Sequence, residues 1–366
     1  MSFHLEAEFI VARQERLRTL LGRRRLPFLI VSNPTNIFYL TGFRGSAGVM
    51  AIGSRDCVLW VDPRYTLQAR EQTRGAEVCE ERGGLLLAAV QWLRKKRARR
   101  VAFENSHLTY EQHIKVRQGL PGRGRLIPAG GLIEGLRYIK DEVEIRCIRE
   151  ACRLTAQVFK EVLRRTQPGV RECDLAAEIE YRMRRKGAEG QAFETIVASG
   201  PRSAFPHARP SSKLLRKHEL VIFDLGAILG GYVADMTRTV YLGNPSRRVR
   251  GLYDAVHRSQ LRAIERLRAG ASAGDVDEAA RSELARHGLA RYFTHSTGHG
   301  VGLDIHERPR LGRGEGSALQ PGCVVTAEPG IYIEGLGGIR IEDTVLVGAS
   351  DPEVLTPVSK DAWFVA

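Results

Sequence analysis

Short apolar runs alternate with amphipathic stretches through the first third of the chain. FLIVS (28–32), GVMAIG (48–53), CVLWV (57–61) and VAF (101–103) have the length and β-branched content of strands, whereas 6–21, 64–74, 84–97 and 109–119 carry apolar residues at helical spacing. This alternation predicts a small α/β domain. The stretch LPGRGRLIPAGG (120–131) interrupts all periodicity, so a boundary is expected there, between a domain over 1–131 and a second over 132–366. In the second part an amphipathic pattern over 140–165 closes at Pro168-Gly169, and another over 172–186 closes at Gly187. LVIFDLG and YVADMTRTVYLG then read as strands, helical spacing returns near 246–268 and 274–287, and the remainder is Gly-rich and strand-like. Helix pairs alternating with hairpins predict an α+β fold.

Length agrees, since 366 residues suit two domains. With 43% hydrophobic and 27% charged residues, a disordered, collagenous or coiled-coil chain is excluded. Cys57, Cys79, Cys147, Cys152, Cys173 and Cys323 form no CxxC pair, so neither a zinc ribbon nor a thioredoxin-like site is encoded, and reduced thiols are expected. The N-terminal segment lacks the uninterrupted apolar core of a signal peptide, and no later run approaches the roughly eighteen apolar residues of a membrane span. A cytoplasmic protein without a membrane partner is expected. The charge of +14 is the outlier, with 47 Arg against 9 Lys. Arg94, Lys95, Lys96, Arg97, Arg99 and Arg100 form one cluster, and Arg182, Arg184, Arg185 and Lys186 another. Because the cations spread along the whole chain and are not interleaved with aromatic residues, a nucleic-acid partner is not expected.

The chemistry begins in VIFDLGAILGGYVADMTRT, which reads as two strands joined by a tight turn over Leu229, Gly230 and Gly231. The numbers 224 and 235 differ in parity, as do those of opposed residues in any hairpin with an even-length loop. Asp224 and Asp235 therefore share a face, and two carboxylates side by side on an apolar scaffold need a shared cation or proton. In IRIEDTVLV the period-two alternation sets Arg340, Glu342 and Thr344 on one face, with Ile341 and Asp343 on the other. Glu328 follows CVVTA and precedes Pro329, and THSTGHGVGLDIHE adds His295, His299 and His306. Four carboxylates with an imidazole and no thiolate make a hard, oxygen-rich site that favours Mn, Mg, Fe or Co over structural zinc. So many anionic ligands suit two ions better than one.

Asp224, Asp235, His299, Glu328 and Glu342, embedded in FDLGA, DMTRT, GHGVG, AEPG and GGIRIED, closely resemble the metal-binding set of the pita-bread metallopeptidases. This family includes methionine aminopeptidase, aminopeptidase P and prolidase. LRYIKDEVEI (136–145) resembles the start of that catalytic domain, while NPTNIFYLTGF and VDPRYTLQA resemble the creatinase-type N-terminal domain of its proline-directed branch. The resemblance implies an α/β creatinase-like domain followed by an α+β pita-bread domain. It implies two divalent ions, Mn first, with Co, Fe or Zn as alternatives. Asp224 would hold one ion, Asp235 and Glu342 would bridge, and His299 and Glu328 would hold the other.

By the same resemblance His207, His295 and His306 are substrate-side histidines and Arg340 supports the network. A metal-bridging hydroxide would attack the carbonyl before proline, Glu328 would shuttle the proton, and the histidines would hold the peptide and protonate the leaving nitrogen. Tyr332 is read as lining the site, whereas Tyr39, Arg44 and Arg64 are read as holding the N-terminal domain or a subunit contact. Substrates with proline in second position and a homodimer are implied. Between the two activities the reading leans to an Xaa-Pro aminopeptidase, with the Xaa-Pro dipeptidase as alternative; Lys213, after the HARPSS loop, offers a positive charge that could attract the carboxylate of a short peptide. A nonmetal enzyme of the creatinase kind, or a noncatalytic pita-bread module using its basic surface, would leave the complete ligand set unexplained.

Overall fold

The computed structural model describes residues 6–122, 124–361 and 363–365. The chain divides into two compact units that meet in sequence between Arg137 and Tyr138.

The first unit contains α1 (Ala7–Arg23), β1 (Phe28–Val31), α2 (Pro34–Thr41), β2 (Val49–Gly53), β3 (Cys57–Val61), α3 (Thr66–Gln72), β4 (Glu77–Glu80), α4 (Leu85–Lys95), β5 (Arg100–Phe103), α5 (Tyr110–Gly119), β6 (Arg125–Pro128) and α6 (Leu132–Arg137). Its strands form one sheet in the order β4-β3-β2-β1-β5-β6. Arg13 lies over the Tyr39 ring, Arg44 over Phe38, and Arg64 pairs with Asp62. Helix α2 breaks the strand-helix rhythm read from the sequence. It is set by its ends: the Asn33 side chain accepts from Thr35 N, Pro34 starts the first turn, and Gly42 closes the helix with φ 81°.

The boundary expected at residue 131 lies too early. RLIP, inside the Gly- and Pro-rich stretch, gains a parallel ladder with β5 in which Leu126 stands beside Val101. Helix α6 then stays with the first unit, where the buried Arg137 donates to Asn36 Oδ1 at 2.9 Å. A four-residue edge strand is too short to show periodicity.

The second unit opens with α7 (Glu142–Leu163), whose start is fixed by a capping box between Asp141 and Glu144. It continues with α8 (Glu172–Arg185), β7 (Gly190–Gln191), β8 (Ile196–Ser199), β9 (Leu220–Leu225), β10 (Ala227–Leu229), β11 (Tyr232–Val233) and β12 (Met236–Leu242). Then come α9 (Arg247–Arg266), α10 (Ala273–Arg286), β13 (Gly298–Gly300), β14 (Glu307–Leu311), β15 (Val324–Ala327), β16 (Gly330–Ile333), β17 (Gly337–Arg340), β18 (Asp343–Leu346), β19 (Glu353–Val354) and β20 (Phe364–Val365). Strands β20-β12-β9-β8 form one sheet, β11-β10-β7 a second, β14-β13-β15-β18-β19 a third, and β16 pairs with β17. The apolar faces of α7 and α8 meet the first of these through Phe159, Ile179, Val221 and Phe223. Those of α9 and α10 meet the third through Val256, Ala280, Val325 and Ala327.

The long hairpin is in fact two ladders. β9 pairs with β12 and β10 with β11, and the ladder breaks at Gly226 and at Ala234-Asp235. A Cβ on Gly226 would stand 2.0 Å from the Ala234 carbonyl oxygen, so only glycine lets the two strands close at this bend. The turn is a two-residue one over Gly230 and Gly231, at φ 63° and 81°. Asp224 is opposed by Thr237 rather than by Asp235, which keeps the two acids on one face as diagonal neighbours.

Candidate metal centre

Every chemically marked residue of the sequence from His207 onward lies within the second unit. Asp235, in the gap between β11 and β12, His299 on β13 and Glu342, between β17 and β18, bring ligand atoms within 4.8 Å of one another. Glu328, just after β15, joins them with Oε1 3.5 Å from His299 Nε2, while Asp235 Oδ2 lies 3.7 Å from the same nitrogen. Asp224 completes the set: Arg340 donates to its Oδ2 at 2.6 Å, and its Oδ1 is buried with no hydrogen-bond partner.

The alternation read in IRIEDTVLV places its residues as expected, although the strand breaks at 341–342. Arg340 and Glu342 turn into the site, and Thr344 Oγ1 bonds the Asp235 carbonyl oxygen at 2.7 Å. Ile341 enters the apolar core. Asp343 faces the opposite way, where it accepts from Arg238, Gln260, Thr356 and Lys360. Arg238 also donates to the Thr237 and Glu342 carbonyl oxygens, so this buried polar cluster backs the strand that carries Glu342.

Electrostatics shows that the acids are crowded. Burial, then the charges of Asp224 and Glu328, push Asp235 well above the ordinary carboxylate range. Burial, then Asp235, Glu328 and Asp224, do the same to Glu342. Burial lifts Glu328 to about 8, opposed by Arg340 and reinforced by Asp224. Conversely, burial lowers His299 and His295 to about 4, with His306 adding to the effect on the first and Arg340 on the second. At neutral pH both imidazoles are therefore uncharged. With His299 Nδ1 bonded to the Gly300 carbonyl oxygen at 3.1 Å, its Nε2 lone pair is aimed at carboxylate oxygens. Lone pairs facing one another across 3.5–3.7 Å repel, and that spacing suits donors each about 2.1 Å from a common cation. The donor chemistry, the orphaned Asp224 oxygen and the crowded charge all fit divalent metal.

The remaining histidines separate by exposure. His306 is exposed, with its ring 4.4 Å from that of His299. His207 is exposed too; it follows Pro206, whose carbonyl oxygen accepts from Arg340 at 3.1 Å, and it lies close enough to disfavour charge on His295. His295 is half-buried, its Nδ1 2.8 Å from the Ser296 carbonyl oxygen and its Nε2 2.9 Å from the Tyr332 hydroxyl, which also receives Arg340. Tyr332 thus links Arg340 to His295. Thr237 was not singled out by the sequence reading, yet its hydroxyl donates to Glu342 Oε2 at 2.7 Å. The period-two run Asp235, Thr237, Thr239 held the signal. Lys213 is not the free charge its position suggests: its Nζ is committed to Glu219 at 2.7 Å and to Ser199 Oγ at 2.7 Å, so it offers none to a substrate.

Among the described residues no helix is long and apolar enough to cross a membrane. Residues 146–349 match Metallopeptidase family M24, and residues 13–139 match the Creatinase/Prolidase N-terminal domain. The chain is 33% identical over 352 residues to an Xaa-Pro dipeptidase of Pyrococcus furiosus, covering 95% of this chain and 99% of the relative. A solved Xaa-Pro dipeptidase from Bacillus anthracis superposes with a TM-score of 0.94 at 35% identity, covering 97% of this chain and 100% of that one. A solved X-Pro aminopeptidase from Thermotoga maritima does so with 0.89 at 33% identity, covering 96% and 100%. With the five-residue acidic and imidazole cluster on a pita-bread domain behind a creatinase-type domain, the chain belongs to metallopeptidase family M24.

Proposed function

We propose that this metallopeptidase hydrolyses the bond between an N-terminal residue and a following proline, acting first as an Xaa-Pro dipeptidase. The observation that carries the reading is the convergence of Asp224, Asp235, His299, Glu328 and Glu342 in a chain whose relatives bear Xaa-Pro peptidase names. The sequence motifs lean to the aminopeptidase; the names of the Pyrococcus and Bacillus relatives give the dipeptidase at least equal support. The aminopeptidase stays as the second reading on the Thermotoga structure.

In this reading Asp224, Asp235, His299, Glu328 and Glu342 would hold two divalent ions, with Mn the first candidate. The ions supply Lewis acidity for water and for the scissile carbonyl. Glu328 would take a proton from the attacking water, and the histidines would pass it to the departing prolyl nitrogen. His207 and His306, the exposed imidazoles, are assigned to the peptide backbone and the leaving nitrogen. His295 is assigned to the same side, with its ring oriented by Ser296 and Tyr332. Arg340 holds Asp224 and Tyr332 together.

Metal-stripped protein resupplied with Mn²⁺, beside Asp235→Asn, should be given a matched Xaa-Pro dipeptide and tripeptide. Metal-dependent cleavage of the dipeptide, absent in the variant, supports the first reading, and cleavage of the tripeptide moves the assignment to the second. No cleavage of either by metal-loaded protein would overturn both.

A further inference from the structure

Outside the ligand cluster, Lys140 and Glu307 form an ion pair sealed from solvent. Lys140 Nζ donates to Glu307 Oε2 at 3.0 Å, and the two side chains are 1% and 7% exposed. Desolvating such a pair is costly, and its attraction compensates only where geometry and further hydrogen bonds are good. Both ends here are anchored. Lys140 donates its backbone N–H to the Gly322 carbonyl oxygen at 2.9 Å and directly precedes Asp141, the capping residue of α7. Glu307 uses its other oxygen, Oε1, to accept the backbone N–H groups of Leu303 at 3.0 Å and Asp304 at 3.2 Å. The loop between β13 and β14 is closed round this carboxylate so tightly that a Cβ on Gly302 would stand 2.6 Å from both of its oxygens. The last residue of the loop is His306, next to Glu307 in sequence and with its ring 4.4 Å from that of His299.

We propose that Lys140 and Glu307 are positioning residues for His306. The Glu307 carboxylate clasps the loop by its amides, and Lys140 Nζ fixes that carboxylate to the start of α7. Without Lys140 Nζ, Glu307 Oε2 would lose the donor that fixes it, and the hold of Oε1 on the Leu303 and Asp304 amides would loosen. Neither side chain is placed against substrate, so both act through the imidazole. This inference rests on the proposed function, which gives His306 its place against the peptide.

A double-mutant cycle tests it on the Mn²⁺-loaded protein with an Xaa-Pro dipeptide, using Lys140→Met, Glu307→Gln and His306→Ala, singly and combined. Lys140→Met should lower kcat/KM about 10-fold with the same division between kcat and KM as His306→Ala, and should cost nothing further in the His306→Ala background. Amide exchange at Leu303 and Asp304 should quicken in Lys140→Met while that of α9 and α10 stays unchanged. Glu307→Gln, which keeps the shape and one carbonyl acceptor, should give a smaller loss of the same kind and serves if Lys140→Met fails to fold. Equal losses in both backgrounds, or unchanged exchange at Leu303 and Asp304, would overturn the proposal. If His306→Ala alone leaves kcat and KM unchanged, the assignment of His306 falls and the positioning role falls with it. If the wild-type protein cleaves no Xaa-Pro peptide, the functional reading is what has failed, and the exchange measurement still decides whether the pair holds the loop.

Discussion

The Thr237 hydroxyl donates to Glu342 Oε2 at 2.7 Å and receives Arg340 Nε at 3.1 Å. A carboxylate crowded by Asp235 and Glu328 is thereby held in one rotamer by a neutral donor that is itself oriented by a cation. Thr237→Val keeps the shape and removes the donor. Metal affinity or kcat/KM should fall roughly 10- to 100-fold, the usual cost of losing an outer partner of a ligand, with folding nearly intact. Mn²⁺ titration beside steady-state kinetics checks this, and unchanged values in both would show that Thr237 only packs.

Metal-free protein should carry extra protons. Glu328 titrates near 8 when folded but near 4.5 when unfolded, and Asp235 and Glu342 are shifted the same way, so the folded state binds more protons in that window and stability falls as pH rises through it. His295 and His299, at about 4 folded against 6.5 unfolded, oppose this only below pH 6.5. Between pH 6.5 and 8 the Tm of chelator-treated protein should drop, and saturating Mn²⁺ should abolish the drop. Calorimetry in two buffers of different ionisation heat should also register proton release on metal binding at pH 7. An uptake of protons would contradict the crowded-carboxylate picture.

Asp343 is the counter-charge of the buried polar cluster. Arg238 and Lys360 beside it hold its carboxyl well below the usual range despite full burial. Its contribution is present above the unfolded value near 4 and is lost only as pH falls through the lower folded value. Asp343→Asn keeps the shape and leaves two cations uncompensated. The expected cost is about 3–5 kcal/mol of stability in urea unfolding at pH 7. A change below about 1 kcal/mol would mean that water or another acid takes over the charge.

Thiol chemistry gives a separate check. Burial pushes the Cys57 and Cys152 thiols up to about 12, and Cys147 and Cys323 are buried as well. At pH 8 a disulfide reagent should label at most Cys79 and Cys173 in the native protein and all six thiols in denaturant. Fast labelling of a third thiol would reveal local opening.

What the sequence made legible was whatever is periodic and local. The parity of Asp224 and Asp235 survived the break at Gly226, because a two-residue turn preserves which side each residue takes. The alternation from Arg340 to Thr344 likewise survived the interruption at 341–342, since each residue keeps its side of the extended chain. Short or distant relations were not legible. RLIP is too brief to show a period and gains strand character only from β5. Lys213 looked available because its partner Glu219 stands across a turn. Lys140 and Glu307 lie 167 positions apart, and no local pattern signals that they meet.

The cluster behind Glu342 bears on how the protein is made. Asp343 needs Lys360, which emerges from the ribosome after Asp224, Asp235, His299, Glu328 and Glu342. A nascent chain that has exposed Asp224, Asp235, His299 and Glu328 still lacks Glu342 and then the counter-charge that seats its strand. Hydrolytic competence therefore waits for the segment that carries Lys360, and a chain in which Asp343 has not yet met that ammonium lacks the backing that seats Glu342.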